Sequence, residues 1–253
     1  MAFDRHRYTL APGKSTRSSG ATSRPACERE HAVEEISEPR ATERAAPLVW
    51  SAYPAIKRTI DLVGAATLLV VLSPVFLIIA VAIVIDGGLP IIYRCQRLGR
   101  QGRHIEVLKF RTMHNGSHHH LEELLTADEE RRLEYGINRK LRHDPRRTRF
   151  GTFLRRYSLD ELPQLWNVLI GEMSLIGPRP YMPDELRGRP EAITLLSVRP
   201  GITGLWQVNG RSDRTFEERV ALEVDYVRRE SFRLDASIVL RTFGAVISGR
   251  GAY

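Results

Sequence analysis

Between Asp61 and Asp86 the chain runs for 24 residues, LVGAATLLVVLSPVFLIIAVAIVI, without a charged side chain. At ~1.5 Å per residue this makes about 36 Å of helix, enough for a bilayer core of ~30 Å. So long a helix, apolar on every side, needs lipid or the interior of a large protein. A chain of 253 residues has room for one domain plus attachments, so the stretch is read as a membrane segment. Whether it crosses is a matter of charge. Lys57 and Arg58 precede it, and Arg94, Arg97, Arg100 and Arg103 follow it; a straight span would put one basic flank on the side that positive charge avoids. At mid-run, Pro74 removes a backbone donor and the Ser73 hydroxyl can cover a freed carbonyl. The pattern predicts a helix, a break at Ser73 and Pro74, and a second helix that returns to the leaflet it entered. An ordinary kinked span is the alternative.

The flanking regions divide clearly. Residues 1–48 mix Ser, Thr, Arg, Glu, Pro and Ala with no apolar period and no secretory core. A disordered tail is expected over 1–50, the membrane element over 51–88 and a folded domain over 89–253. LPIIYRCQRLGRQGRHIEVLKFRTM (89–113) reads as two strands about a turn at Gly99 and Gly102. HNGSHHHLEELLTADEERRLEYG (114–136) reads as a solvated insertion with one short charged helix. Its cluster His118–His120 lacks partners at metal-ligand spacing. Thr215 and Glu218 form a capping box that opens a helix with Phe216, Val220, Val224 and Val227 inward. LDASIVLRTFGAVISG (234–249) suits either a membrane interface or docking on the domain.

With 38 Lys+Arg against 30 Asp+Glu, the chain favours an anionic partner. Only four of those cations are lysines; guanidinium groups suit phosphate, although GC-rich coding gives the same bias. Cys27 and Cys95 form no motif, which fits a reducing compartment.

SLDELPQLWNVL (158–169) sets two carboxylates, Asp160 and Glu161, at the start of a helix. In that helix Leu162, Leu165, Trp166 and Leu169 make an apolar stripe, and Asp160, Gln164 and Asn167 share the opposite, polar side. The plain reading of Asp160 is a helix cap, and Ser158 with Glu161 also fits a capping box. The functional reading starts from the neighbours. Arg146, Arg147, Arg149, Arg155 and Arg156 precede the pair and Arg179 follows it, so a phosphorylated substrate could meet a carboxylate there. Those cations should depress the pKa of Asp160 and keep it ionised as a nucleophile toward phosphorus. Glu161, roughly 100° away around the helix, would handle protons or help hold Mg2+, the ion expected where carboxylates face a diphosphate. A carboxylate pair among arginines argues against nucleic acid, since it would weaken binding to a phosphate backbone.

KRTIDLVGA and LSPVFLI (57–78), LKFRTM (108–113), DPRRTRFGTFLRRYSLDELPQLWNVLIGEMSLIGPRP (144–180) and RPGITGLWQVNGRSDRTFEERVALEVDYV (199–227) together resemble the bacterial sugar transferase family, over about residues 55–245. The resemblance is to its short exopolysaccharide-type members, monotopic polyprenyl-phosphate phosphoglycosyl transferases. It implies a compact α+β catalytic domain with interfacial helices, held on the cytoplasmic face of the bacterial inner membrane by a re-entrant helix broken at Ser73 and Pro74. It implies that a sugar 1-phosphate passes from a UDP-sugar to undecaprenyl phosphate with release of UMP. Asp160 would form an aspartyl phosphosugar, Glu161 would be its partner, and both would hold Mg2+. Arg111, Arg146, Arg155, Arg179 and Arg211 would bind substrate. The family branch favours galactose or glucose; an N-acetylated sugar, a non-UDP donor and a homo-oligomer stay open. The competing class is a membrane-anchored basic module without catalysis. HNGSHHH and residues 1–48 depart from the family pattern.

Overall fold

The computed structural model describes residues 48–138, 141, 143–210 and 214–248. The tail expected over 1–50 therefore lies, as far as residue 47, outside the described residues, and so does Arg211. Two long helices come first, α1 (Leu48–Val71) and α2 (Ser73–Gly87). They meet at a 61° bend. Pro74 has no N–H for the carbonyl of Val70 one turn back, and the Ser73 hydroxyl donates to that oxygen instead at 2.8 Å. The sequence had placed the break and its hydroxyl patch here. Among the described residues no single helix is long and apolar enough to cross a membrane; the bent pair together has the length and composition.

Both ends of the pair are fastened to one body. An antiparallel hairpin, β1 (Ile92–Leu98) and β2 (His104–Phe110), pairs Ile92 with Phe110 and Leu98 with His104. The insertion after it holds two helices, α3 (Ser117–Ala127) and α4 (Glu129–Asn138), where the sequence reading expected one. Asp128 divides them: its carboxylate accepts the Arg131 N–H at 3.1 Å, as a helix-start residue does. Then come α5 (Arg149–Arg156), a 3-10 turn (Leu159–Glu161), α6 (Gln164–Ile170), β3 (Ser174–Ile176), α7 (Glu191–Leu195) and β4 (Gly201–Thr203), which is parallel to β3. Helices α8 (Phe216–Arg229) and α9 (Phe232–Ser248) follow. The architecture is mixed helix and sheet, with two small two-stranded sheets among the described residues.

One core cluster joins Ala65 of α1, Ile105 and Val107 of β2, Leu165 and Val168 of α6 and Met173. A second joins Ile79 and Ile83 of α2 to Phe110 and Leu154. Polar side chains fix the rest. Arg58 donates to the carbonyls of Val168 (2.7 Å) and Leu169 (3.0 Å) at the C-terminal end of α6. Buried Asp61 accepts from Ser174 Oγ (3.0 Å) and the Leu175 N–H (2.9 Å). Lys57 bonds Asp235 and the Tyr226 hydroxyl. At the far end, Asp86 accepts the Phe150 N–H at 3.2 Å. Lys57 and Arg58, the basic flank that precedes the apolar run, are thus both committed to partners in the body. The outward sides of the pair remain apolar and bare, with Val70 at 74 % and Ile85 at 81 % exposure.

Candidate active site

Thr148 opens α5 by accepting the Gly151 N–H at 2.8 Å, and Gly151 is required by its contact: a Cβ there would sit 2.2 Å from the Thr112 carbonyl oxygen. The helix ends at Tyr157. Ser158 then takes φ 56°, a left-handed conformation uncommon outside glycine and asparagine. That residue turns the chain into the 3-10 turn that carries Asp160 and Glu161, and Asp160 becomes buried. The capping readings fall away. Pro163 stands at the N-cap of α6 and Ser158 at that of the 3-10 turn, each without a side-chain capping bond. A buried carboxylate with no capping task is left facing cations.

The principal cation escaped the sequence reading. Lys109 Nζ bonds Glu161 Oε1 at 2.6 Å and its charge also acts on Asp160. Burial pushes Lys109 down, but the carboxylates of Glu161 and Asp160 outweigh it and hold the ammonium above its ordinary range. Asp160 departs from expectation: burial pushes its carboxyl up, reinforced by Glu161, and outweighs Lys109 and Arg155, which lower it. Loss of water costs this carboxylate more than the nearby cations return. A signal for Lys109 did exist. Ile105, Val107 and Lys109 alternate along β2, and lysine is out of place on a strand face whose first two members are buried apolar residues.

Helix α6 buries residues of both its sides: Leu165 of the apolar stripe, and Gln164 and Asn167 of the polar one, while Trp166 of the stripe is 54 % exposed. Asn167 shows why a polar residue lies inside. Its Oδ1 accepts the Leu108 N–H (3.0 Å) and its Nδ2 donates to the Glu106 carbonyl (2.8 Å) and to Glu172 Oε2 (2.7 Å). Among the described residues no further strand lies on the outer edge of β2, so this amide satisfies it and sets α6 against the strand that carries Lys109.

The candidate arginines separate. Arg155 stays with the pair, its Nε donating to Thr112 Oγ1 at 2.8 Å. Arg111, expected to bind substrate, donates to the carbonyls of Gly88 and Leu89 just beyond α2 and to Asn115 Oδ1. Arg146 is held by both oxygens of Asp144, at 2.7 and 2.6 Å. Arg179 pairs with Glu185 at 3.5 Å. Its backbone N–H donates to buried Glu223 at 2.7 Å, in a cluster with Tyr181, Trp206, Phe216 and Arg219. Among the described residues no three His, Cys, Asp or Glu side chains could hold a metal ion together, and His120 is exposed. The donor set at the site is two adjacent carboxylates. That set fits Mg2+, which is commonly held by one or two carboxylates with substrate phosphate and water supplying the remaining oxygens.

The site thus joins buried Asp160 and half-buried Glu161 to a lysine and an arginine, in one body with an apolar broken helix. The chain belongs to the bacterial sugar transferase family, whose model matches residues 52–249. It is 47 % identical over 199 residues to the UDP-galactose-lipid carrier transferase of Erwinia amylovora, covering 78 % of this chain and 42 % of that one. The exopolysaccharide production protein ExoY of Rhizobium meliloti is 42 % identical over 198 residues, with 78 % and 88 % covered. The UDP-glucose:undecaprenyl-phosphate glucose-1-phosphate transferase of Caulobacter vibrioides is 37 % identical over 216 residues, with 82 % and 75 % covered. The chain thus spans less than half of the Erwinia protein's length.

Proposed function

We propose that the chain is a phosphoglycosyl transferase that moves a hexose 1-phosphate from a UDP-sugar to undecaprenyl phosphate. The observation that carries this is Asp160, buried, without a capping bond at the start of α6 and within reach of the charges of Lys109 and Arg155. An Asp160 oxygen attacks the sugar-bearing phosphorus, the bond to the bridging oxygen breaks, and UMP leaves with that electron pair. An acyl phosphate of Asp160 remains. A phosphate oxygen of undecaprenyl phosphate then attacks the same phosphorus, forming the undecaprenyl diphosphosugar and restoring the carboxylate. Lys109 holds Glu161 in place, and Lys109 and Arg155 offset charge gathering on the transferred group. Asp160 and Glu161 would hold Mg2+, which when bound neutralises charge on the diphosphate. The names of the relatives support galactose or glucose as the sugar and a UDP donor.

The same proposal places the domain on the cytoplasmic face of the bacterial inner membrane, with α1 and α2 entering and leaving one leaflet. The support is mechanical: Lys57, Arg58 and Asp61 tie one end of the bent pair to the body to which Asp86 and Gly88 tie the other. A crossing helix pair would put those anchors on opposite sides. Such a site suits an acceptor that resists leaving lipid, since each methylene exposed to water costs ~0.8 kcal/mol.

Incubating the protein with Mg2+ and UDP-galactose or UDP-glucose labelled in the β-phosphate, without acceptor, should leave label on the protein. Undecaprenyl phosphate should discharge it, and Asp160→Asn should abolish it. Because burial disfavours the charged form of Asp160, this variant should melt no lower than the parent. Turnover by Asp160→Asn, or transfer without any labelled protein, would refute the mechanism.

A further inference from the structure

Three arginines from the segment before the acid pair meet at one place in the fold. Residues 112–114 run against 146–148: the His114 N–H donates to the Arg146 carbonyl (2.9 Å), the Thr148 N–H donates to the Thr112 carbonyl (3.1 Å), and Met113 lies opposite Arg147. From α5, Arg155 reaches the same strip through Thr112 Oγ1 at 2.8 Å. Arg146 is neutralised there by both oxygens of buried Asp144. Among the described residues neither Arg147 nor Arg155 has an ion-pair partner.

Arg147 is held but not satisfied. Its Nη2 donates to the Leu141 carbonyl at 2.7 Å, while its Nε is shut away from solvent and has no hydrogen-bond partner. Burial, and then the charge of Arg155, push Arg147 below its ordinary range, and the opposing pull of Asp144 and Glu134 does not make up the difference. Arg155 links Arg147 to the acid pair, since its charge acts on Asp160 as well. Two half-buried guanidinium groups set against each other's charge are an unfavourable arrangement that an anion bound to both would relieve.

The chemistry proposed for Asp160 needs such a place. In the first step the Asp160 oxygen attacks phosphorus from the side opposite the departing UMP oxygen. In the second, an oxygen of undecaprenyl phosphate attacks from the side opposite the departing Asp160 oxygen. The group that leaves and the group that enters are both phosphate monoesters, and in-line geometry puts them at the same position, beyond the transferred phosphate as seen from Asp160. We infer that Arg147, with Arg155, seats that phosphate, first as it leaves on UMP and then as it enters on undecaprenyl phosphate. This rests on the reading of Asp160 as nucleophile. A guanidinium fork suits the task because it meets two phosphate oxygens at once.

The test uses the full chain in nanodiscs, labelled from UDP-galactose or UDP-glucose carrying a labelled β-phosphate and then cleared of UMP. Discharge of the label is followed with undecaprenyl phosphate in the bilayer and, separately, with UMP, which re-forms the UDP-sugar. Arg147→Gln keeps a donor for the Leu141 carbonyl and removes the charge. The half-saturating concentrations of both reagents should rise together in it, by about tenfold or more, and Arg147→Lys should show a smaller rise in both. Guanidinium ion added to Arg147→Ala should lower both again, which a merely distorted site would not do. A rise for UMP alone, for undecaprenyl phosphate alone, or for neither overturns the shared seat. If Arg147→Gln does not fold, Arg147→Lys decides, and constants equal to those of the parent overturn the inference. No label on the parent sinks the Asp160 reading and this inference with it; a labelled parent with unmoved constants in the variants sinks the inference alone.

Discussion

Asn167 offers the sharpest test of how the site is held. Its amide satisfies two backbone groups on the free edge of β2, the Leu108 N–H and the Glu106 carbonyl, as well as the Glu172 carboxylate. Asn167→Ala strands all three beneath α6. Each such backbone group left without a partner costs ~1–3 kcal/mol, so the variant should lose about 2–6 kcal/mol. In a body of this size 1 kcal/mol shifts Tm by roughly 2–4 °C, which gives a fall of about 4–24 °C. Asn167→Asp separates hydrogen bonding from mere size. It keeps an acceptor for Leu108 but sets a carboxylate oxygen against a carbonyl and the Glu172 carboxylate. At pH 7.5 it should melt below Asn167→Ala. At pH 5 it should recover toward the parent, as the new carboxyl takes a proton and can donate. Thermal unfolding in nanodiscs at both pH values, with turnover measured alongside, decides the matter. If Asn167→Asp is as stable as the parent at pH 7.5, or Asn167→Ala melts within 1 °C of it, the account of α6 is wrong.

Three further outcomes follow from the same packing. Lys109→Met removes the partner of Glu161 and a cation that lowers Asp160; turnover at pH 7 should fall by about tenfold or more, and the acid limb of the kcat/KM profile should move to higher pH, with Lys109→Arg partly restoring both. Burial raises Glu223 to about 7. Its neutral form therefore supplies stability that is complete below the ordinary range near 4.5 and lost as pH climbs through 7. Unfolding measured at pH 5 and pH 8 should show the parent weakening between them and Glu223→Gln weakening much less. Gly151→Ala pushes a methyl into the Thr112 carbonyl; it should cost ~1–3 kcal/mol, read as a lower Tm, and should depress turnover by moving α5 away from β2.

What the sequence determined by itself are features whose causes lie within a few residues. Pro74 and Ser73 fix the break because the lost donor and the substitute hydroxyl both act on Val70, within one turn. The Thr215 and Glu218 side chains reach each other's backbone across three residues and form the capping box expected of them. The turn through Gly99 and Gly102 closes β1 on β2 in the same local way. The acid pair is legible too, as a pattern, with its two readings undecided. What surrounds the pair was not legible, because Lys109, which bonds Glu161, is a strand residue 52 positions away. The fates of the basic residues were equally remote. Arg58 is consumed by carbonyls 110 and 111 residues on, and Arg111 by the end of α2, so basic charge counted along the chain could not tell an anchor from a phosphate ligand. The burial of Asn167 has the same remote cause: an amide is polar to any sequence rule, yet it belongs inside when a strand edge waits there for a donor and an acceptor. Local chemistry chooses a segment's shape; only the packing of distant segments decides which polar groups are already satisfied and which remain to act on a substrate.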